Sequence, residues 1–217
     1  MCADIHKEFD SAAARSLEGR VWKLFESKNI NQAVTSCKQL NRQFPKYASG
    51  WHTASQLAIK LNKPGAALSA IERALAVEPE NKSWLLQKAL CLSRLGRFET
   101  LRPLVDQLLP RNFATAYHCS TMALLLTQLG RRGEAVRLYE KAAAIRPDEA
   151  KHYYNIACLQ RSLGDAEGAE ENFTKTVGLD PSDYESYKIR SELRKQTPTR
   201  NHVEELERLL ANGIADE

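Results

Sequence analysis

The residues of this chain with the widest chemical repertoire are five histidines, His6, His52, His118, His152 and His202, and five cysteines, Cys2, Cys37, Cys91, Cys119 and Cys158. Imidazole can ligate a metal or move a proton near neutral pH, and thiolate can attack or ligate, but both need partners at close, fixed spacing. No two cysteines stand as C-x-x-C, and an odd, scattered set suits reduced thiols rather than a disulfide framework or a zinc site. His118 and His152 lie 34 residues apart. On stacked helices equivalent places are ~8–10 Å apart, a spacing that disfavours a shared metal and leaves both rings a surface or groove role. Cys158 alone among the thiols projects toward an open face, with no base identifiable beside it. The adjacent carboxylates Glu170 and Glu171 fall on an exposed helix face and read as solvating charge. Every glycine that could suggest a phosphate loop instead ends a helix, and no strand is credible. The sequence implies no catalytic group, no metal site and no cofactor.

The elements that carry these residues are helical. Hydrophobic residues make up 43% of the chain and charged ones 27%, enough to bury a core and keep a charged surface. A net charge of +4 without a basic cluster argues against nucleic acid as a partner. The densest apolar run, Met122 to Leu126, is far short of the ~18 residues a membrane helix needs. The acidic start MCADIHKEFD does not resemble a secretory signal, so a cytoplasmic location is expected.

A period of 34 residues organises the chain. Pro45, Pro79, Pro147 and Pro181 share it, with Phe113 at the missing place; Gly96, Gly130 and Gly164 share it, with Asn62 one period earlier. Ala33, Ala67, Ala135 and Ala169 recur on it with Leu101 in the gap, and Ser55, Ala89, Ala123 and Ala157 form a matching small series. Bulky residues repeat as Leu17, Trp51, Leu85, Cys119, Tyr153 and Tyr187, and again as Cys37, Ile71, Val105, Tyr139 and Phe173. Each unit has apolar residues at helical spacing, a Gly or Asn suited to the left-handed turn that ends a helix, a second helical pattern, and a proline that stops it. The two small series let paired backbones approach closely. Pro103, inside a second helix, predicts a shift or kink there.

These residues resemble the tetratricopeptide repeat, whose period and Trp, Gly, Tyr, Ala, Phe/Tyr and Pro pattern they follow. The resemblance implies an all-α fold, a tetratricopeptide-type helical solenoid in which antiparallel helix pairs wind into a right-handed superhelix. It predicts an N-terminal extension over 1–13 and five units at 14–47, 48–81, 82–115, 116–149 and 150–183. A capping helix over 184–196 and a proline-marked linker with a terminal helix over 197–217 complete the expected organisation.

The family's first helices line a concave groove. Carried onto this register, the groove residues are His52, Gln56 and Lys60; Gln87 and Arg94; Tyr117, Thr121 and Gln128; and Lys151, Tyr154, Asn155 and Arg161. Ser49, Thr53, Ser83, Leu90, Leu124 and Cys158 share the stripe, which holds four cations and no acid. The implied function is that of a non-catalytic scaffold binding a protein or extended peptide, acidic or polar in character. The carboxylate clamp of chaperone-tail binders is not matched, because Glu18 and Trp22, then His52 and Gln56, stand where Lys and Asn are required.

Beyond Arg194 the period fails. Pro198 breaks the helix, Asn201 with Glu204 signals a new start, Val203, Leu206, Leu209 and Leu210 form an apolar face, and Asn212-Gly213 closes it. That face is expected to dock on the repeats, on a following domain or on a second copy of the chain. LRKQTPTRNHVEELERLL is similar to the junction in bacterial repeat-containing sulfotransferases. That resemblance implies, as an alternative, the N-terminal repeat region of a larger sulfotransferase whose catalytic domain lies outside this chain.

Overall fold

The computed structural model describes the backbone of residues 2–199 and 201–211 and the side chains of residues 12–199 and 201–211. Its elements are helices: α1 (Cys2–Glu26), α2 (Ile30–Gln43), α3 (Ala48–Lys60), α4 (Pro64–Val77), α5 (Lys82–Arg94), α6 (Phe98–Leu108), α7 (Ala116–Gln128), α8 (Arg132–Ile145), α9 (Ala150–Leu163), α10 (Ala166–Leu179), α11 (Tyr184–Glu192) and α12 (Val203–Ala211). Odd-numbered helices pair with their successors across short turns at 27–29, 61–63, 95–97, 129–131 and 164–165. The chain forms two compact units, Met1–Asn112 and Phe113–Glu217. The first holds α1 to α6 and the second α7 to α12.

Small residues decide where the helices cross. Ala33, Ala67, Ala135 and Ala169 are all 0% exposed, and so are their partners Ser55, Ala89, Ala123 and Ala157, so the two backbones of a pair close on each other. Leu101 fills the alanine place in α6 and is buried as well. N-caps set several starts: Asn81, Thr115, Asp165 and Asp183 each accept a backbone N–H from the first turn of α5, α7, α10 and α11.

The division into units falls within the span expected for the third repeat. Helix α6 runs through Pro103 but has 11 residues where α2, α4, α8 and α10 have 14. Pro103 cannot donate to the carbonyl one turn back, at Glu99, and Pro110 blocks further extension. The expected distortion thus takes the form of a shortened helix. Phe113, which stands where other repeats carry proline, is 3% exposed and belongs to the second unit. Its ring lies 5.8 Å from that of His118, and its carbonyl accepts from the Cys119 thiol.

Two boundaries differ from expectation. Helix α1 begins at Cys2, well before the first repeat, and α11 ends at Glu192 instead of reaching 196. The proposed closure at Asn212-Gly213 lies outside the described residues.

The turns hold left-handed residues: Gly96, Gly130 and Gly164 have φ of 66°, 78° and 84°, and Asn62 has 54°. The first turn puts Lys28 in the same place with φ 62°, a conformation that disfavours any side chain with a Cβ. Replacing Lys28 with glycine is expected to stabilise the first unit by about 1 kcal/mol. A higher urea midpoint, followed by tryptophan fluorescence, is the expected reading; an unchanged or lower one would contradict it.

Candidate partner-binding face

In the first unit the candidate residues lie on α3 and α5, but a carboxylate from α1 organises them. Glu18 is half-buried; one oxygen accepts from Tyr47 Oη at 2.6 Å, and the other from Ser49 Oγ at 2.7 Å and from Thr53 Oγ1. Thr53 is 1% exposed. Two hydroxyls of the predicted stripe are therefore occupied by an acid that the stripe did not include. His52 is half-buried with its ring 5.7 Å from that of Trp84; burial lowers its pKa, opposed by the nearby charge of Glu18. Gln87 is buried and Gln56 half-buried. Lys60 and Arg94 are exposed but braced. The ammonium of Lys60 sits 5.7 Å from the Phe25 ring centroid, and Arg94 Nη1 donates to the Ile59 carbonyl at 3.4 Å.

In the second unit α7 and α9 carry the candidates. Tyr117 is 61% exposed and Leu124 40%. Thr121 is buried and its hydroxyl bonds the Tyr117 carbonyl at 2.7 Å, so it faces its own helix rather than a ligand. Gln128, Lys151 and Arg161 are exposed, and Asn155 donates its amide to the Lys151 carbonyl at 2.7 Å. Tyr154 packs edge-on against Phe173 and bonds Cys158; burial is the main cause pushing its phenol upward. Asp183 and Glu185, at the start of α11, place negative charge near Tyr154 and Cys158.

His152 is 3% exposed, not on an open face; burial lowers its pKa, and Glu149 stands 3.4 Å from its Nε2. The 34-residue series alone did not reveal this burial. His118 is half-buried, held by Thr115 Oγ1 at 2.8 Å from Nδ1. Burial pushes the Cys37 and Cys91 thiols up to about 11 and raises Cys158 too, so these groups remain thiols at neutral pH. Among the described residues, no group of three or more His, Cys, Asp or Glu side chains could hold a metal ion. No helix among the described residues is long and apolar enough to cross a membrane.

Glu170 is not solvating charge. Its carboxylate takes both Nε and Nη2 of Arg194 at 2.8 Å, and His202 Nε2 stands 3.2 Å away. Arg190 is 2% exposed, stacked 5.4 Å from the Tyr187 centroid and paired with Glu205. Helix α12 meets α11 through Glu205 and α10 through His202, which directly precedes it. Val203 and Leu210 remain 52% and 64% exposed, with Leu206 and Leu209 half-buried. In the repeat register Arg190 stands where Ala54, Lys88, Met122 and Ile156 stand, and Glu170 where Val34, Leu68, Arg102 and Val136 stand, so the register alone carries no clear signal for these pairs.

Helix pairs closed on small residues, joined by left-handed turns and repeated through both units define an all-α helical-repeat solenoid. The tetratricopeptide repeat model matches residues 16–169, and the chain belongs to that family. Among solved structures it is similar to PilW, a type IV pilus biogenesis factor, at 16% identity and a TM-score of 0.75, covering 94% of this chain and 96% of that one. PilF of Pseudomonas aeruginosa gives 14% identity and a TM-score of 0.72, covering 94% and 89%. YrrB, described as a tetratricopeptide-repeat protein with an unusual peptide-binding site, gives 16% and 0.63, covering 80% and 90%. No curated protein matches the chain.

Proposed function

We propose that this chain is a non-catalytic protein-binding scaffold that holds an extended polypeptide segment, acidic or polar in character, on the inner face of its first helices. The observation that carries this reading is on α7 and α9. There Tyr117 and Leu124 offer exposed apolar surface, and the exposed cations Lys151 and Arg161 form no salt bridge with a described carboxylate. An aromatic and aliphatic anchor beside unmatched cations suits a segment that brings its own carboxylates. Membership of the repeat family and the peptide-binding site ascribed to YrrB support the same reading. Asp183 and Glu185 bound the cationic stretch at the α11 end and disfavour a ligand whose negative charge extends that far.

The test is charge reversal at exposed positions. In a pull-down followed by titration with the captured partner, Lys151→Glu with Arg161→Glu is expected to weaken binding about ten-fold or more. Equal affinity for the doubly reversed chain and the parent would refute this location of the site.

A further inference from the structure

A cavity of about 670 Å³ opens in the first unit among α2, α3 and α4, away from the stripe formed by His52, Gln56 and Lys60. Its interior is apolar because small residues line it: Cys37 from α2, Ala54 and Ala58 from α3, Ala66 and Ala70 from α4, with Trp51 at one side. At two equivalent places the small residues are replaced. One repeat later, Lys88 stands for Ala54 and Glu72 for Lys38, and these two pair at 3.2 Å across the gap. Among α8, α9 and α10, Tyr139, Ile156, Gln160 and Asn172 replace Cys37, Ala54, Ala58 and Ala70, and Asn172 donates to Gln160 at 2.9 Å.

The rim of the cavity is also distinctive. Lys38 and Arg42 from α2 face the cavity together with Lys63 and Arg73 from the α4 side, and the lining contains no carboxylate. The matching positions among α8, α9 and α10 include Glu140 and Asp165 in place of Lys38 and Lys63. Arg73 stacks 4.6 Å from the Trp51 ring, whose Nε1 donates to the Pro45 carbonyl at 2.9 Å, so this wall is pre-positioned. Asn41, 6% exposed, also lines the cavity, with its Oδ1 buried against Gly50 of α3.

We propose that this cavity is a second binding site, for a partner polypeptide in which one bulky apolar side chain is flanked by carboxylates. The apolar side chain enters among Ala54, Ala58 and Ala70, and the carboxylates pair with the cations on the two walls. Cations on both walls favour a segment with several carboxylates over a single-headed amphiphile, which can match only one side. The volume lies within the ~300–1,000 Å³ usual for ligand sites.

The test uses the full chain labelled with 15N and the acetylated, amidated hexapeptide Glu-Asp-Glu-Phe-Asp-Glu, following the indole N–H resonance of Trp51. Assignment comes from a Trp51→Phe variant. Saturable movement of that resonance is expected. Binding should weaken about ten-fold or more in Ala54→Ile/Ala58→Gln, in Lys38→Glu/Lys63→Asp, and with the amide peptide Gln-Asn-Gln-Phe-Asn-Gln. These substitutions copy residues this chain already holds at equivalent positions, and Lys38→Glu alone, at an exposed site, serves if a double variant fails to fold. A silent Trp51 at millimolar peptide would overturn the proposal, as would unchanged binding by the filled variant. Laurate moving the same resonance at lower concentration than the peptide, insensitive to rim reversal, would also overturn it in favour of an amphiphile site. Reversal of Lys151 and Arg161 leaves this signal unchanged, so the two sites succeed or fail separately.

Discussion

Replacing Glu18 with alanine is expected to destabilise residues 1–112 by about 3 kcal/mol. A single carboxylate there receives the hydroxyls of Tyr47, Ser49 and Thr53, tying α1 to the start and inner face of α3. Hydrogen bonds to a charged acceptor each contribute about 1.5–3 kcal/mol, though not additively. Tyr47 and Ser49 are half-buried and recover water when the carboxylate goes, but Thr53, at 1% exposure, is left with an unmatched donor. Glu18→Gln keeps the shape and one acceptor, and should cost about 1–2 kcal/mol. The measurement is direct because Trp22, Trp51 and Trp84 all lie in the first unit, so indole fluorescence in urea reports that unit alone. A loss below about 1 kcal/mol for the alanine variant would show that these bonds only exchange with water.

The second large effect is local. Glu205→Ala removes the carboxylate paired with Arg190 and should undock α12. No residue of α12 is fully buried, so its attachment rests on Glu205 with Arg190 and His202 with Glu170. Exchange protection of the amides in 203–211 is expected to fall about ten-fold or more, while the α7 to α10 helices keep theirs. Undocking lets water reach Arg190, so the unit escapes the ~3–5 kcal/mol penalty of a buried charge stripped of its partner. Arg190→Met sharpens the test, since it restores the apolar residue that Met122 holds at this register. It should release α12 equally while leaving the unit as stable as the parent or more so. Unchanged protection of 203–211 in both variants would show that Leu206 and Leu209 hold the helix instead.

This docking bears on why the chain departs from its period after Arg194. Helix α11 carries Arg190 where the two repeats before it carry Met122 and Ile156. Helix α12 answers that charge with Glu205, so it has a partner within the second unit. Its amphipathic pattern suggested burial of Val203 and Leu210, yet both remain exposed. Leu206 and Leu209 are half-buried on the same helix.

What the sequence determined by itself was the repeating element. A 34-residue period, small residues at both crossing positions and left-handed turn residues specify helix pairs, because each acts within one or two turns of chain. Asn62, Gly96, Gly130 and Gly164 all adopt the expected positive φ. Lys28 was legible in the same register once the position was counted. The tertiary structure alone decided which polar groups meet. Glu18 reaches hydroxyls some 29 to 35 residues away, Glu170 meets Arg194 across 24, and Arg190 meets Glu205 across 15. It also opened a cavity where small side chains of α2, α3 and α4 coincide. Local periodicity reports the face on which a residue stands; which side chain lies opposite depends on helix length and packing, and these no single repeat contains.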